Sequence, residues 1–176
     1  LAAAGRDVVH TREPTDGEWG QRIRAMARSG DTVAPEEELR WFVEDRREHV
    51  ERDVAPALAR GALVLCDRYF HSTVAYQGAR GLDWRRLLAD SERAFPVPDL
   101  ALWFALPVRE ALARVRARGG PAEPAFERED YLERVDAIFA ALARERANVV
   151  RIDAAGSFDE VAERVAAALP EPLRIG

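Results

Sequence analysis

The chain has 176 residues, of which 48% are hydrophobic and 32% charged, and its formal net charge is -5. This composition is typical of a folded protein, and the length suits a single domain over residues 1–176. The negative charge argues against nonspecific binding to nucleic acid or to an anionic membrane, and the single cysteine excludes an internal disulfide. No apolar run approaches the roughly 20 residues that cross a bilayer, so we expect a cytoplasmic protein.

Four short apolar runs predict the strands of a sheet. They comprise residues 8–10, 62–66, 100–105 and 149–152. The runs are nearly continuous rather than alternating, which is typical of parallel strands that are covered on both faces.

Amphipathic segments between these runs predict helices over residues 18–28, 35–60, 84–95, 107–118 and 127–146. Pro35 and the three glutamates after it suit a helix start, and Gly61 suits the end of the same helix. Ser157 and Glu160 have the spacing of a capping box that opens a last helix. Strands separated by helices predict an α/β fold with helices on both faces of a parallel sheet.

Polar stretches follow three of the predicted strands, at residues 10–17, 67–68 and 153–156. In open α/β sheets, ligands bind beyond the carboxyl ends of the strands. The sequence therefore predicts a binding site at this edge of the sheet.

Arg46 lies on the apolar face of the long predicted helix, one turn after Phe42. A buried guanidinium needs a partner, because burying it unpaired is costly. In one interpretation, Phe42 stacks on a planar ligand and Arg46 hydrogen-bonds it. In the other, Arg46 extends toward solvent and pairs with a neighbouring acid such as Glu44 or Asp45. The spacing alone favours the second interpretation.

Asp67 and Arg68 come directly after the second predicted strand. Arg68 can offer a bidentate fork to a phosphate, and Asp67 can orient it or hold a water molecule on a metal ion. A structural ion pair between the two is equally consistent with the sequence. On the helix that follows, hydroxyl and amide groups lie on successive turns, at Ser72, Thr73, Tyr76 and Gln77.

A basic segment precedes a stretch rich in glycine and proline at residues 119–124; its arginines are Arg109, Arg114, Arg116 and Arg118. Such a segment can contact phosphates as a lid, but the residues alone favour a solvated helix face. The three histidines do not have the spacing of metal ligands.

The chain contains six motifs: TREPTDGEWGQRIR, ELRWFVEDRREHV, DRYFHSTVAYQGARG, PDLALWFALP, RVRARG and FEREDYLERV. They occur in the order and spacing found in bacterial thymidylate kinases, and the match extends over nearly the whole chain. The chain thus resembles this family, and the resemblance implies a three-layer α/β/α fold of the P-loop NTPase type. It also implies a nucleoside monophosphate kinase that transfers the ATP γ-phosphoryl group to dTMP with Mg²⁺, yielding dTDP for dTTP synthesis.

The resemblance assigns a first set of residues to dTMP: Arg12, Pro14, Phe42, Arg46, Arg68, Ser72, Thr73, Tyr76 and Gln77. Phe42 would stack on the thymine while Arg46 hydrogen-bonds it, and Tyr76 would pack beneath the deoxyribose. Arg68 would bridge the acceptor phosphate to the incoming phosphoryl group.

A second set is assigned to ATP: Arg116, Arg118, Glu127, Asp153 and Ala155. The residues implied in catalysis are Asp67, Arg68 and Arg118. No residue is expected to bind the metal directly, and Asp67 would act on it through water.

The chain departs from the family pattern in two places. Pro124 and Ala125 stand where the family's lid usually carries Asp-Arg. In addition, no Gly-x-x-x-x-Gly-Lys-Ser/Thr loop occurs in the chain, and residues 1–5 resemble the last turn of the helix that follows this loop. We therefore expect about 20 to 30 further residues to precede them, including the central strand between runs 62–66 and 100–105.

Without that strand, we expect the chain alone to be inactive and either unstable or oligomeric, because two buried strands would expose unpaired backbone groups. Two alternatives to a dTMP kinase remain open. One is a nucleotide-binding paralogue without kinase activity, and the other is a kinase for another deoxynucleoside monophosphate such as dUMP. Many relatives are homodimers, and Trp41 and Val43 on the long helix suit such an interface.

Overall fold

Four parallel strands form two separate pairs in the computed structural model, which describes residues 5–31, 33–119, 126 and 128–173. Strand β1 (Val8–Arg12) pairs with β2 (Leu63–Asp67), and β3 (Ala101–Ala105) pairs with β4 (Val149–Asp153). Among the described residues, no ladder of hydrogen bonds joins β2 to β3.

The predicted helices are present, with ends that differ by one or two residues from the prediction. They are α1 (Glu18–Ser29), α2 (Pro35–His49), α3 (Ala55–Ala59), α4 (Phe70–Ala79), α5 (Trp84–Ala94), α6 (Val108–Arg118), α7 (Glu129–Glu145) and α8 (Phe158–Ala168). The capping box of α8 is formed in both directions between Ser157 and Glu160. Across the described ranges, none of the helices is long and apolar enough to cross a membrane.

The long predicted helix is continuous but not regular. A π-helical turn (Val50–Val54) connects α2 to α3, and the helix ends before Gly61, whose φ is 79°. The wide turn lies just before Pro56, which has no N–H to donate and whose ring would clash with the carbonyl one turn earlier in a regular α-helix.

Helix α4 lies at the centre of the core. Phe70 and Val74 pack with Leu88 and Leu142 of the flanking helices, in a cluster that reaches β4. Further along α4, Ala75 and Ala79 pack against α7. Because α4 is covered on most sides, its polar residues His71, Thr73 and Gln77 are buried too, and they need partners inside the protein.

A separate cluster joins α1 to α2 and contains Trp41, Ile23 and Met26. Trp41 is only 9% exposed, so its predicted place in a dimer interface is wrong. Its side chain closes the gap between two helices of the same chain.

Gly20 lets α1 approach the loop that follows β1. A Cβ at this position would collide with the backbone carbonyl of Thr15 and would lie 2.9 Å from Asp45 Oδ1. The backbone carbonyl cannot move aside as a flexible side chain would, so the close contact requires glycine.

We expect Gly20→Ala to lower the free energy of unfolding by about 1–3 kcal/mol through overpacking, despite a helix-propensity gain of about 1 kcal/mol. Urea denaturation measures the change. Gly17→Ala is the matched control, since a Cβ there would lie 3.2 Å from Thr15 Oγ1 and meets only side chains. Equal stability of the two variants would contradict the proposed close approach.

His71 provides a pH-dependent contribution to stability. The ring is 7% exposed and packs on Phe70, and burial lowers the pKa of His71 to about 4, against a smaller opposing effect of Glu92. Arg46 and Arg146 lower this pKa further. The unfolded chain therefore binds a proton at His71 near pH 6.5, whereas the folded chain does so only near pH 4.

We expect the free energy of unfolding to fall as the pH drops from about 6.5 towards 4, by about 2 kcal/mol at pH 5 from His71 alone. Urea denaturation near neutral pH and near pH 5 measures this loss. His71→Gln should remove this part of the pH dependence while leaving the part due to carboxylates. Parallel pH profiles of the two proteins would show that His71 is not the cause.

Candidate active site

A cleft of about 470 Å³ opens at the carboxyl ends of β1 and β2. Its lining includes Thr11, Arg12, Thr15, Asp16, Arg52 and Asp67. Arg12 and Asp67 are opposite each other in the register of the two strands. The structure thus brings two predicted site residues to one edge, as expected from the positions of the polar stretches.

Arg46 is buried, with 1% of its surface exposed. Its Nε and Nη2 donate to Glu13 Oε2 at 2.9 and 2.6 Å, and Nη2 also donates to Thr73 Oγ1 at 2.8 Å. The interpretation favoured by spacing alone is therefore wrong, because Arg46 neither extends to solvent nor pairs with an acid of its own helix. Its partner follows β1, far away in the sequence.

Glu13 also contacts His49, a residue that the sequence did not indicate as part of the site. Its Oε1 lies 3.0 Å from Nδ1 of the fully buried His49, whose Nε2 lies 2.6 Å from the Thr11 hydroxyl. A carboxylate can only accept, so Nδ1 donates, and in a neutral ring Nε2 accepts from Thr11. The sequence could have indicated His49 only through its position, because it follows Arg46 by about one helical turn and so lies on the same face of the helix.

The loop after β1 is also tied to α2 through Asp45. Its carboxylate accepts hydrogen bonds from the backbone N–H and the hydroxyl of Thr15, at 2.9 and 2.6 Å. Arg24 of α1 donates to the carbonyl of Pro14 at 2.9 Å, and Arg12 forms a salt bridge with Asp16 at 2.9 Å. These contacts hold the predicted residue Arg12 at the cleft and the predicted residue Pro14 in the loop that follows β1.

Helix α4 presents Thr73 and Gln77 to α2, and both are buried. Gln77 Nε2 donates to Glu38 Oε1 at 2.7 Å. Ser72 and Tyr76 are half-buried on the adjoining face of α4. The sequence anticipated the α4 residues but gave no indication of Glu38.

Two buried polar atoms between α2 and α4 have no hydrogen-bond partner among the described residues, namely Arg46 Nη1 and Gln77 Oε1. A third, the hydroxyl of Tyr69, belongs to a side chain packed against the core cluster around Phe70. A buried unsatisfied group costs about 1–3 kcal/mol. A buried donor and a buried acceptor without a protein partner need another group to pair with, such as an ordered water or a bound molecule.

Arg68 has a φ of 63°, in the left-handed region that non-glycine residues rarely occupy. Such strain is concentrated at functional sites. Its guanidinium lies 5.6 Å from the centre of the Tyr76 ring, and its carbonyl accepts from the thiol of Cys66. Burial raises the pKa of Cys66 to about 12, so the thiol stays protonated at neutral pH, which supports a packing role for the cysteine.

Phe126 packs against the same cluster as Phe42 and contacts the ring of Tyr76. Phe42 and Phe126 pack against the cluster of α1 and α2, and the rings of Tyr76 and Phe126 meet edge to face at 5.7 Å. The two aromatic residues predicted to enclose a base and a sugar therefore lie in one region, between α2 and α4.

The described ATP-side residues, Arg116, Arg118, Asp153 and Ala155, are not among the residues that line the cleft. Asp153 Oδ1 accepts from the N–H of Ala155 at 3.0 Å, and Arg164 donates to the carbonyls of both residues. Arg116 and Arg118 are exposed at the end of α6. The predicted residue Glu127 and the departure at 124–125 lie outside the described residues.

The other two arginines of the basic segment make structural contacts. Arg109 pairs with Glu129 of α7 at 2.6 Å, and Arg114 pairs with Glu110 at 2.7 Å and donates to the carbonyl of Ala154. Arg114 thereby connects α6 to the loop after β4.

Comparison with known proteins gives a consistent result. The model of the family described as Thymidylate kinase matches residues 1–165. A thymidylate kinase from Xanthomonas campestris pv. campestris (strain B100) is 48% identical over 180 residues, covering 100% of this chain and 77% of that protein. Another, from Akkermansia muciniphila, is 46% identical over 163 residues, covering 93% of this chain and 77% of that protein. With its parallel strands and flanking helices, the chain belongs to the thymidylate kinase family, which has the P-loop NTPase fold.

Proposed function

We propose that this protein is a phosphotransferase that moves the γ-phosphoryl group of ATP to dTMP and produces dTDP. The observation that carries the proposal is the buried Arg46, which Glu13 and Thr73 hold in position while Nη1 has no partner among the described residues. A fixed buried donor beside half-buried aromatic residues suits a planar base. The names of the relatives supply the base and the reaction.

The base and sugar of dTMP would lie between α2 and α4. Phe42 stacks on the thymine, while Arg46, Thr73 and Gln77 provide polar contacts at its edge. Tyr76 packs beneath the deoxyribose, and Ser72 adjoins it on the exposed side. A 2'-hydroxyl would clash with the Tyr76 ring, so a ribonucleotide is disfavoured.

The monophosphate would lie at the cleft, where Arg12, Pro14 and Arg68 border it. Arg68 is the proposed catalytic arginine, which bridges the acceptor phosphate to the incoming phosphoryl group and neutralises charge in the transition state. Its backbone and guanidinium are positioned before the substrate arrives, which lowers the reorganisation needed during the reaction.

A magnesium ion fits the cleft as a partner of phosphates and water. Among the described residues, no group of three His, Cys, Asp or Glu side chains is placed to hold a metal ion. Asp67 offers one exposed carboxylate in the cleft, and Mg²⁺ commonly keeps several waters and contacts one or two carboxylates. Asp67 would hold a water molecule of that ion, and bound Mg²⁺ would neutralise phosphate charge.

ATP would contact the opposite side of the site. Asp153 and Ala155 would border the adenine, and Arg116, Arg118 and Glu127 would contact the phosphates, with Arg118 contributing to catalysis. The assignment rests on the resemblance, supported by the ordered loop after β4 that Arg114 and Arg164 hold.

We further propose a cytoplasmic homodimer whose partners are dTMP and ATP rather than nucleic acid or a membrane. The net charge of -5 argues against nonspecific binding to nucleic acid or to an anionic membrane. Leu58 is exposed and Val43 is half-buried on the long helix, so both side chains can contact a second subunit, whereas Trp41 is buried within its own chain.

The proposed activity is tested by dTMP-dependent ADP release from the protein expressed from its complete reading frame. We expect phosphorylation of dTMP well above that of dCMP, dAMP and dGMP. Binding of dTMP without ADP release would instead indicate a nucleotide-binding protein without kinase activity. A preference for dUMP over dTMP would reassign the substrate.

The role of Arg68 is tested by Arg68→Lys. Lysine keeps the charge and has the same backbone cost at positive φ, but it lacks the planar fork that binds a phosphate through two hydrogen bonds. We expect kcat to fall by about 10²–10³-fold, which is the usual effect of removing one hydrogen-bond donor that stabilises negative charge in the transition state. The melting temperature should change little.

Arg52→Lys is the control for this measurement, because Arg52 lines the same cleft but pairs with Asp53 at 2.8 Å. Its kcat should stay close to that of the wild type. A kcat within twofold for Arg68→Lys would remove Arg68 from the proposed mechanism.

A further inference from the structure

Two polar contacts join α2 to α4 on the same faces of the two helices. In the first contact, Arg46 of α2 donates to Thr73 of α4 at 2.8 Å. In the second, Gln77 of α4 donates to Glu38 of α2 at 2.7 Å. Glu38 lies two turns before Arg46, and Gln77 lies one turn after Thr73. Phe42 lies midway between Glu38 and Arg46 along α2. A planar molecule stacked on Phe42 would therefore have Arg46 towards one side and Gln77 towards the other.

The contact with Glu38 decides which way the amide of Gln77 points. An ionised carboxylate has no proton to donate, so it accepts from the amide NH₂ and leaves the amide oxygen facing away. Arg80 forms a salt bridge with the other oxygen of Glu38 and so favours its ionised form. Arg80 is itself held by the carbonyl of Val33 at 2.6 Å.

The resulting pattern between α2 and α4 is one unpaired donor, Arg46 Nη1, and one unpaired acceptor, Gln77 Oε1, both buried. Thymine and uracil offer carbonyl oxygens and an N3–H, which complement one donor and one acceptor. Cytosine instead offers an amino group and an unprotonated N3. If the Gln77 amide turned over, its NH₂ would oppose the N3–H of thymine and would instead match the unprotonated N3 of cytosine, while the Arg46 donor would stay the same.

We infer that Glu38 is a specificity-determining positioning residue, which orients the Gln77 amide so that the site takes a pyrimidine with an N3–H and rejects cytosine. The inference rests on the proposed dTMP kinase activity and adds to it a residue outside the set implied by the resemblance. Glu38 is 1% exposed and acts through Gln77 rather than through the substrate itself.

The test is the ratio of kcat/KM for dTMP to kcat/KM for dCMP in the wild type and in Glu38→Gln. A glutamine at position 38 can either accept or donate, so the Gln77 amide is no longer restricted to one orientation. We expect the ratio to fall about tenfold or more, with a raised KM for dTMP and measurable turnover of dCMP. Loss of structural support alone would lower both activities and leave the ratio unchanged.

Glu37→Gln is the matched control, because it makes the same substitution one residue away, where Glu37 contacts Arg40 and Trp41 instead. Its ratio should equal that of the wild type. Glu38→Asp keeps an acceptor-only side chain, and it should retain the preference for dTMP even if KM rises. If Glu38→Gln is too unstable to purify, the ratio is measured in the Glu38→Gln/Arg80→Gln double variant, which leaves no unpaired charge.

The possible outcomes separate this inference from the proposed function. An unchanged dTMP/dCMP ratio in a folded, active Glu38→Gln or double variant would overturn the role of Glu38 and leave the kinase assignment intact. A wild type that neither binds nor phosphorylates dTMP would overturn both.

Discussion

The buried ion pair between Glu13 and Arg46 is the contact on which the site depends. Removing one partner of such a pair costs about 3–5 kcal/mol, because the remaining charge stays buried. Glu13 satisfies Arg46 with one oxygen and His49 with the other, at 2.6 and 3.0 Å. The pair thereby fixes the end of β1 to α2, and through Thr73 it also fixes α2 to α4.

This arrangement divides the proposed site into two parts with different physical character. The part between α2 and α4 is built on helices, and its polar side chains are buried and held by hydrogen bonds across the two helices, which suits the recognition of a base. The part at the ends of β1 and β2 is an open cleft with exposed charges, which suits phosphates and a hydrated metal ion. The loop of Glu13, Pro14 and Thr15 connects the two parts, because Glu13 contacts Arg46 of α2, whereas Arg12 and Thr15 line the cleft.

Local features of the structure were predictable from the sequence, and pairings between distant residues were not. The strands and helices lie where the apolar runs and end signals place them, because periodicity, capping boxes and proline positions act over a few residues. Arg46 was identified as important because a charge on an apolar helix face is anomalous. Its partner was assigned wrongly, since Glu44 and Asp45 are neighbours in the sequence but Glu13 is the neighbour in space. Glu38 and His49 were missed, because each reads as an ordinary polar residue of a charged helix.

The sequence by itself determined the α/β class, the order of elements and the family, since short motifs such as DRYFHSTVAYQG carry both a local conformation and a set of functional groups. The tertiary structure alone decided which charges are paired, which polar atoms remain without partners and which way the Gln77 amide points. The reason is that a hydrogen bond depends on atoms within about 3 Å of each other. In this fold those atoms belong to segments separated by 27 residues for Arg46 and Thr73, and by 39 for Glu38 and Gln77.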